Sequence, residues 1–145
     1  MINKKIIRLS YYDSKDGPRL VIFGPMEIEL FRLRKCFSEL SGGEKTFDLD
    51  SLEFVHSAGV TLRLQSLGDQ TKIVDGAPLG LQRILSTNQS FVWRLRNKGW
   101  KYLGELIDGL IESKVAGHQY LTHFPDDDAI VVVSKGEYAD NVLNV

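Results

Sequence analysis

Apolar and polar residues alternate with a period of two in several short segments of this chain. Ile7, Leu9 and Tyr11 alternate with polar neighbours, whereas residues 20–23 form a continuous apolar run. The first pattern is typical of a strand with one buried face, and the second of a strand buried on both faces. Residues 13–17 between them have turn composition and end in a glycine. These segments therefore predict a β-hairpin.

A helical period follows the hairpin. Acidic residues come first in this segment and basic residues follow, which suits the dipole of a helix over Glu27–Leu40. Glycines at positions 42 and 43 favour its termination. Strands are then expected around residues 47–49 and 60–64, where alternation returns. The apolar face of the predicted helix carries Leu30, Leu33, Cys36, Phe37 and Leu40.

The second half of the chain shows the same order of patterns. Residues 82–85 and 91–95 predict two strands, and an apolar stripe predicts a helix over residues 98–112. Residues 119–124 and 130–134 predict two more strands, separated by a Pro-Asp-Asp-Asp turn. The stripe of this second helix consists of Trp100, Leu103, Leu106, Ile107 and Leu110.

The two halves can be aligned on each other. Residues 31–40 fall on residues 102–111 at matching helical positions, which indicates an internal repeat. We therefore predict an α+β fold of two pseudo-repeated β-β-α-β-β units, about residues 4–67 and 80–136, within one domain of residues 1–145. Each helix is expected to cover its own, mostly antiparallel sheet. The seam between the two units is where we expect a partner.

Composition narrows the function classes. The chain is 43% hydrophobic and 26% charged with a formal net charge of −1, whereas a dedicated nucleic-acid binder usually has a strongly basic domain. No segment approaches the roughly 20 apolar residues of a membrane-spanning helix, and we find no signal-peptide core. Cys36 is the single cysteine and has no internal disulfide partner, so we expect a cytoplasmic protein.

Histidine and serine residues are the candidates for chemistry. His118 and His123 are separated by an odd number of positions, so a regular strand would point them to opposite faces. Zinc-type ligand spacings are also missing, and we predict neither a metal site nor a cofactor. Ser57 lacks the glycine pattern of a nucleophile turn. The protein is therefore predicted not to be an enzyme; the alternative is an enzyme without a familiar motif that uses His56 or His118 as acid or base.

Basic and aromatic residues are the candidates for binding. Arg94 and Arg96 have even spacing, so they share a strand face opposite Trp93, and a phosphate or an acidic protein surface could dock there. A solvated sheet face is the alternative. Trp100 is expected in the core, although partial exposure would make it an interface anchor. The binding residues predicted from the sequence are Arg63, Arg94, Arg96, Trp100, His118 and Tyr120.

Residues 47–59 resemble the central motif of STAS domains, which occur in anti-sigma-factor antagonists and in the tails of anion transporters. The family motif is a strand followed by Asp-Ser-(Ser/Ala)-Gly at the start of a helix, and this chain has His56-Ser57-Ala58-Gly59. The resemblance implies a helix after Gly59 and a regulatory phosphorylation of Ser57. His56 replaces the aspartate of the family, and the pattern after Gly59 alternates as in a strand.

A second resemblance lies near the C-terminal end of the sequence. Residues 117–121, 129–134 and 136–138 are similar to the closing segment of small uncharacterised bacterial proteins, some of which are immunity proteins that neutralise toxins. This resemblance implies stoichiometric binding of a partner protein. Our leading hypothesis is thus a non-catalytic interaction protein, with toxin immunity as its most concrete form and a STAS-like regulatory module as the alternative. Unprotected strand edges would also permit a homodimer.

Overall fold

The structure is a computed structural model that describes residues 7–15, 17–69, 79–85, 89–122 and 127–136. In this part of the chain the protein is α+β, as predicted, with strands that outnumber helices. The helices are α1 (Glu27–Leu40) and α2 (Asn97–Glu112). The strands are β1 (Ile7–Ser14), β2 (Gly17–Gly24), β3 (Lys45–Asp48), β4 (Val55–Ser57), β5 (Thr61–Ser66), β6 (Gly80–Leu85), β7 (Ser90–Leu95), β8 (Gly117–Tyr120) and β9 (Ile130–Lys135).

The strands form two mixed sheets. The first sheet has the order β4-β1-β2-β9-β8 and the second has the order β3-β5-β7-β6. At the centre of the first sheet, β2 and β9 run parallel, and at the centre of the second, β5 and β7 run parallel. The hairpins β1–β2 and β6–β7 are antiparallel, as are the pairs β3–β5 and β8–β9.

This topology overturns one prediction. We expected each half of the chain to build its own sheet under its own helix, but each sheet combines a hairpin from one half with a strand pair from the other. The seam expected between two self-contained units is therefore absent, because main-chain hydrogen bonds cross between the halves inside both sheets. If each strand is replaced by its counterpart in the other half, the order β1-β2-β9-β8 of the first sheet becomes the order β6-β7-β5-β3 of the second. Only β4 has no counterpart among the described strands. Duplication itself stays a prediction.

Both helices contribute to one hydrophobic core between the inner faces of the sheets. The predicted stripe of α1 is buried, and so is that of α2 apart from the half-buried Leu106. Because a helix buries one stripe and a strand buries alternate residues, the two periods in the sequence converge on the same core. The β-strand residues of this core include Leu9, Leu20, Ile22, Leu62, Leu64, Leu81, Phe91, Trp93, Val131 and Val133.

Most predicted elements are present with small shifts. The strand expected at residues 47–49 ends at Asp48, and Leu49–Ser51 forms a short 3₁₀ helix. β4, which pairs parallel to β1, was missed because three residues carry too little periodicity. β8 ends at Tyr120, earlier than predicted. Predictions for His123 and for residues 4–6, 86–88, 123–126 and 137–138 lie outside the described residues.

The segment after Gly59 tests the resemblance to STAS domains. The STAS resemblance implies a helix there, but residues 61–66 form β5, which is paired on both sides. The STAS-like module therefore has no support from the described residues around Ser57. As for membranes, neither α1 nor α2 combines the length and the apolar character that a spanning helix requires.

Candidate functional site

The predicted binding residues do not converge on one surface. Arg63 on β5 and Arg94 on β7 lie on the outer face of the second sheet, because their strand neighbours Leu64 and Trp93 point into the core. His118 belongs to an edge strand of the other sheet. The predicted binding residues therefore lie on both sheets and in the core.

The arginines of the second sheet are bound by their cross-strand neighbours. Arg63 donates from Nε to Oδ1 of Asp48 at 2.8 Å, and this hydrogen bond raises the pKa of the Arg63 guanidinium. Arg94 donates from Nε to Oε1 of Gln65 at 3.0 Å. Arg96 is half-buried directly before α2. An anion that docks on this face would have to compete with Asp48 for Arg63.

Trp100 is a core residue. It is fully buried and donates from Nε1 to the carbonyl oxygen of Gln65 at 3.1 Å. Its ring packs edge-on against Phe37 and Trp93, with centroid distances of 5.2 and 5.3 Å. Because an indole buried with its N–H satisfied needs no further partner, Trp100 is not available as an interface anchor in this conformation.

His118 and Tyr120 lie side by side on the edge strand β8. Their rings meet edge-on with centroids 5.3 Å apart, and both residues are exposed. The guanidinium of Arg19 on β2 lies 5.7 Å from the centroid of the Tyr120 ring. This arrangement is a small aromatic and basic surface.

Ser57 has a local structural role in the connection between β4 and β5. Its Oγ accepts a hydrogen bond from the Val60 backbone N–H at 3.0 Å and donates to the Val60 carbonyl oxygen at 2.5 Å. Serine hydroxyls commonly close turns in this way. Gly59 within the same turn has a φ of +78°, a conformation that favours glycine. The neighbouring His56 is exposed.

A surface that sequence reasoning missed lies on the outer side of α1. Ile28 and Phe31 are 55% and 54% exposed and lie one helical turn apart. Arg32 and Lys35 are exposed on the next turn, and we call these four residues the α1 face. A signal was present, since Ile28 and Phe31 are apolar residues outside the inner stripe. Single exposed hydrophobic residues are common, however, so the sequence alone does not distinguish these two as a surface.

The α1 face begins near other exposed apolar residues. Met26, 48% exposed, precedes α1, and Val115, 70% exposed, precedes β8. These two connections meet at Gly136, where a Cβ would lie 3.3 Å from the Pro25 carbonyl oxygen and 3.6 Å from Cβ of Ala116. The N-terminal end of the α1 face therefore adjoins a corner with a partly apolar surface.

Unlike Arg63 on the second sheet, the cations of the α1 face form no ion pair with the described residues. Arg32 lies over the ring of Phe54, 5.5 Å from its centroid, which restrains the guanidinium. Among the described residues, Arg34, Lys45 and Arg63 form ion pairs, whereas Arg32 and Lys35 do not. Glu39, one turn after Lys35, pairs with Lys45 at 3.2 Å. The C-terminal half of the α1 face thus carries two positive charges without an intramolecular counter-ion in the described structure.

The described residues contain no group of three or more His, Cys, Asp or Glu side chains arranged to hold a metal ion. Comparison with models of protein families, with curated proteins and with solved structures finds no match to this chain.

Proposed function

We propose that this protein is a non-catalytic interaction protein that binds a partner protein through the α1 face. The observation that supports the proposal is the pair of large apolar side chains, Ile28 and Phe31, each about half exposed on a helix whose opposite side is fully packed. Burial of the exposed halves of two such side chains would contribute about 2 kcal/mol to a complex. Two adjacent, half-exposed apolar side chains offer a partner protein apolar surface to bury.

Among the alternatives, the second sheet is a weaker candidate. Arg63 and Arg94 already have side-chain partners, so a ligand would gain less from them. Trp100, the strongest anchor type among the predicted residues, is buried. His118 and Tyr120 offer an exposed edge, but it comprises one four-residue strand. Toxin immunity is the most concrete form of the proposed function, and it rests on the resemblance of the C-terminal segment.

The experiment compares two variants of the immobilised protein in extracts of its source cells. The first variant, Ile28→Lys with Phe31→Lys, places charge on the α1 face. The matched control, Tyr102→Lys, changes a 52% exposed aromatic residue on α2. Urea unfolding establishes that both variants remain folded.

We expect a protein that is retained by the wild type and by Tyr102→Lys and lost by the double variant. Once purified, it should bind the double variant at least about tenfold more weakly, which corresponds to about 1.4 kcal/mol. If every captured protein binds the double variant as well as the wild type, the α1 face is not the interaction surface.

A further inference from the structure

The α1 face is polarised along the helix. Its apolar residues, Ile28 and Phe31, lie in the first half, while the cations Arg32 and Lys35 follow towards the second half. Side chains three and four positions apart are neighbours on a helix surface, so the apolar pair and the two cations form one continuous strip. A partner that covers this strip contacts apolar side chains towards the N-terminal end of α1 and positive charges further along the helix.

The positive charge is available to a partner. Arg32 is held over Phe54, which presents its guanidinium at a restrained position, and Lys35 is exposed. The nearby acid Glu39 is engaged by Lys45, and Glu27 lies at the opposite end of the strip. Burial of Arg32 and Lys35 under a neutral partner would cost desolvation without a compensating partner group, whereas a carboxylate can form charge-assisted hydrogen bonds with them.

We infer that the α1 face recognises an acidic segment of a partner protein in which apolar side chains that cover Ile28 and Phe31 are followed by carboxylates that pair with Arg32 and Lys35. This inference rests on the proposed function and names the chemistry of the partner. Charge complementarity selects this class over a basic or neutral partner, because a like charge placed against Arg32 and Lys35 would be repelled.

The probe is a random twelve-residue peptide library displayed on phage and selected on the intact protein. We expect the enriched peptides to carry large apolar residues together with an excess of Asp and Glu. The most enriched peptide is then synthesised, and its affinity is measured by fluorescence anisotropy at about 0.05 M and about 0.5 M NaCl, since exposed charge pairs are screened over this range. Parallel selection on Arg32→Glu with Lys35→Glu should enrich basic peptides instead.

Three variants separate the contributions to peptide binding. Arg32→Gln with Lys35→Gln should weaken binding about tenfold, which corresponds to about 1.4 kcal/mol, and should reduce the salt dependence. Lys101→Gln, which removes an exposed charge from α2, is the matched control and should leave affinity unchanged. Ile28→Lys with Phe31→Lys should abolish binding, as the proposed function requires.

Each contrary result has a distinct meaning. If the peptides lack acidic residues, or bind the glutamine variant unchanged but fail on the Ile28 and Phe31 variant, the acidic class is overturned and the proposed function stands. If none of these changes affects binding, the proposed function fails as well. Vesicles of phosphatidylcholine with phosphatidylglycerol form a separate arm, and binding to them without peptide binding would overturn the inference in favour of an anionic membrane surface.

Discussion

Arg34 of α1 and Asp108 of α2 form a bidentate ion pair that joins the two helices. Nε of Arg34 donates to Oδ1 of Asp108 at 2.7 Å, and Nη2 donates to Oδ2 at 3.0 Å. Two parallel hydrogen bonds of this kind orient both groups as well as attracting them. The Arg34 side chain is 23% exposed and that of Asp108 is 43% exposed, so solvent screens part of the attraction.

Loss of this pair should have a modest effect on stability. We expect Asp108→Ala to lower the free energy of unfolding by about 1 kcal/mol, because it leaves the half-buried Arg34 guanidinium without its carboxylate. Lys45→Ala is the control, since both side chains of its pair with Glu39 are exposed. Like other surface ion pairs, this pair should contribute only about a few tenths of a kcal/mol. Urea unfolding measures both. Equal effects would mean that the inter-helix pair has no special role.

Gly104 allows Arg34 to cross α2. A Cβ at Gly104 would lie 2.4 Å from Nη1 and 2.8 Å from Cζ of Arg34, whereas a Cβ at the exposed Gly109 would meet nothing within 4 Å. Gly109→Ala should therefore raise the free energy of unfolding by about 0.5–1 kcal/mol through helix propensity. Gly104→Ala should fail to show this gain or should lower stability.

A double variant provides the control for the Gly104 prediction. In an Arg34→Ala background the obstructing guanidinium is gone, so Gly104→Ala should then stabilise the protein as Gly109→Ala does. Urea unfolding of the wild type, Gly104→Ala, Arg34→Ala and the double variant measures the coupling free energy between the two positions. If Gly104→Ala stabilises the wild-type background as well, Arg34 does not occupy this space in solution.

Asp127 and Asp128 occupy the outer edge of β6. Their carboxylates accept hydrogen bonds from the backbone N–H groups of Leu81 at 2.8 Å and Arg83 at 2.7 Å, and the Asp128 N–H donates to the Leu81 carbonyl at 2.9 Å. Exposed strand edges pair readily with other chains, and these contacts block that pairing. Ile84 on the same strand is 57% exposed.

Removal of both carboxylates should open the β6 edge. We expect Asp127→Ala with Asp128→Ala to lower the free energy of unfolding by about 1 kcal/mol per lost hydrogen bond and to cause concentration-dependent association. Light scattering after gel filtration measures the association, with the exposed Asp69→Ala as a control for the loss of negative charge. A double variant with the wild-type mass at every concentration would contradict the blocking role.

Trp100 should affect stability without direct involvement in binding. Trp100→Phe removes the hydrogen bond to the Gln65 carbonyl and leaves a small cavity, so we expect a loss of about 1–3 kcal/mol in the free energy of unfolding. Peptide or partner binding at a temperature where the variant is fully folded should match the wild type. A tenfold change in Kd for the fully folded variant would show that Trp100 contributes to binding.

Cys36 links stability to pH. Burial raises the pKa of the Cys36 thiol, and the negative charge of Glu39 adds to this effect. Since the folded protein favours the neutral thiol, the resulting stabilisation is complete below the unfolded pKa of about 8.5 and is lost as the pH rises through the higher folded pKa. Wild-type protein should therefore lose more unfolding free energy between about pH 7 and pH 10 than Cys36→Ala, as measured by urea unfolding.

Native alkylation gives an independent check on Cys36. The thiolate is the reactive form, and both burial and the raised pKa disfavour it. Iodoacetamide should modify Cys36 far more slowly in the native protein than in urea. A native rate close to the unfolded rate would show that the thiol is accessible.

Local patterns predicted most elements, because each depends on contacts between near neighbours in sequence. The period of α1 and the glycines after it placed the helix at Glu27–Leu40 as observed. The alternation around Leu62 and Leu64 likewise identified β5 and its buried face. β4 escaped because its three residues pair with β1 through main-chain bonds, to which side-chain periodicity is insensitive.

Candidate sites were less predictable, because exposure depends on the complete fold. Arg94 and Trp93 were assigned to opposite faces correctly, yet the sequence could not show that Gln65 would accept a hydrogen bond from Arg94. The α1 face had a visible signal in Ile28 and Phe31. Its significance appeared once the structure showed that each of the two side chains is more than half exposed.

By itself, the amino-acid sequence determined the α+β class, the order of the helices and most strands, and which stripe of each helix is buried. These features follow from side-chain periodicity and backbone preferences over a few residues. The tertiary structure alone decided that β2 joins β9 and that β5 joins β7, so that each sheet draws on both halves of the chain. Such pairings join distant residues through backbone groups that are chemically alike in every strand, so the side-chain pattern of one segment cannot specify its partner.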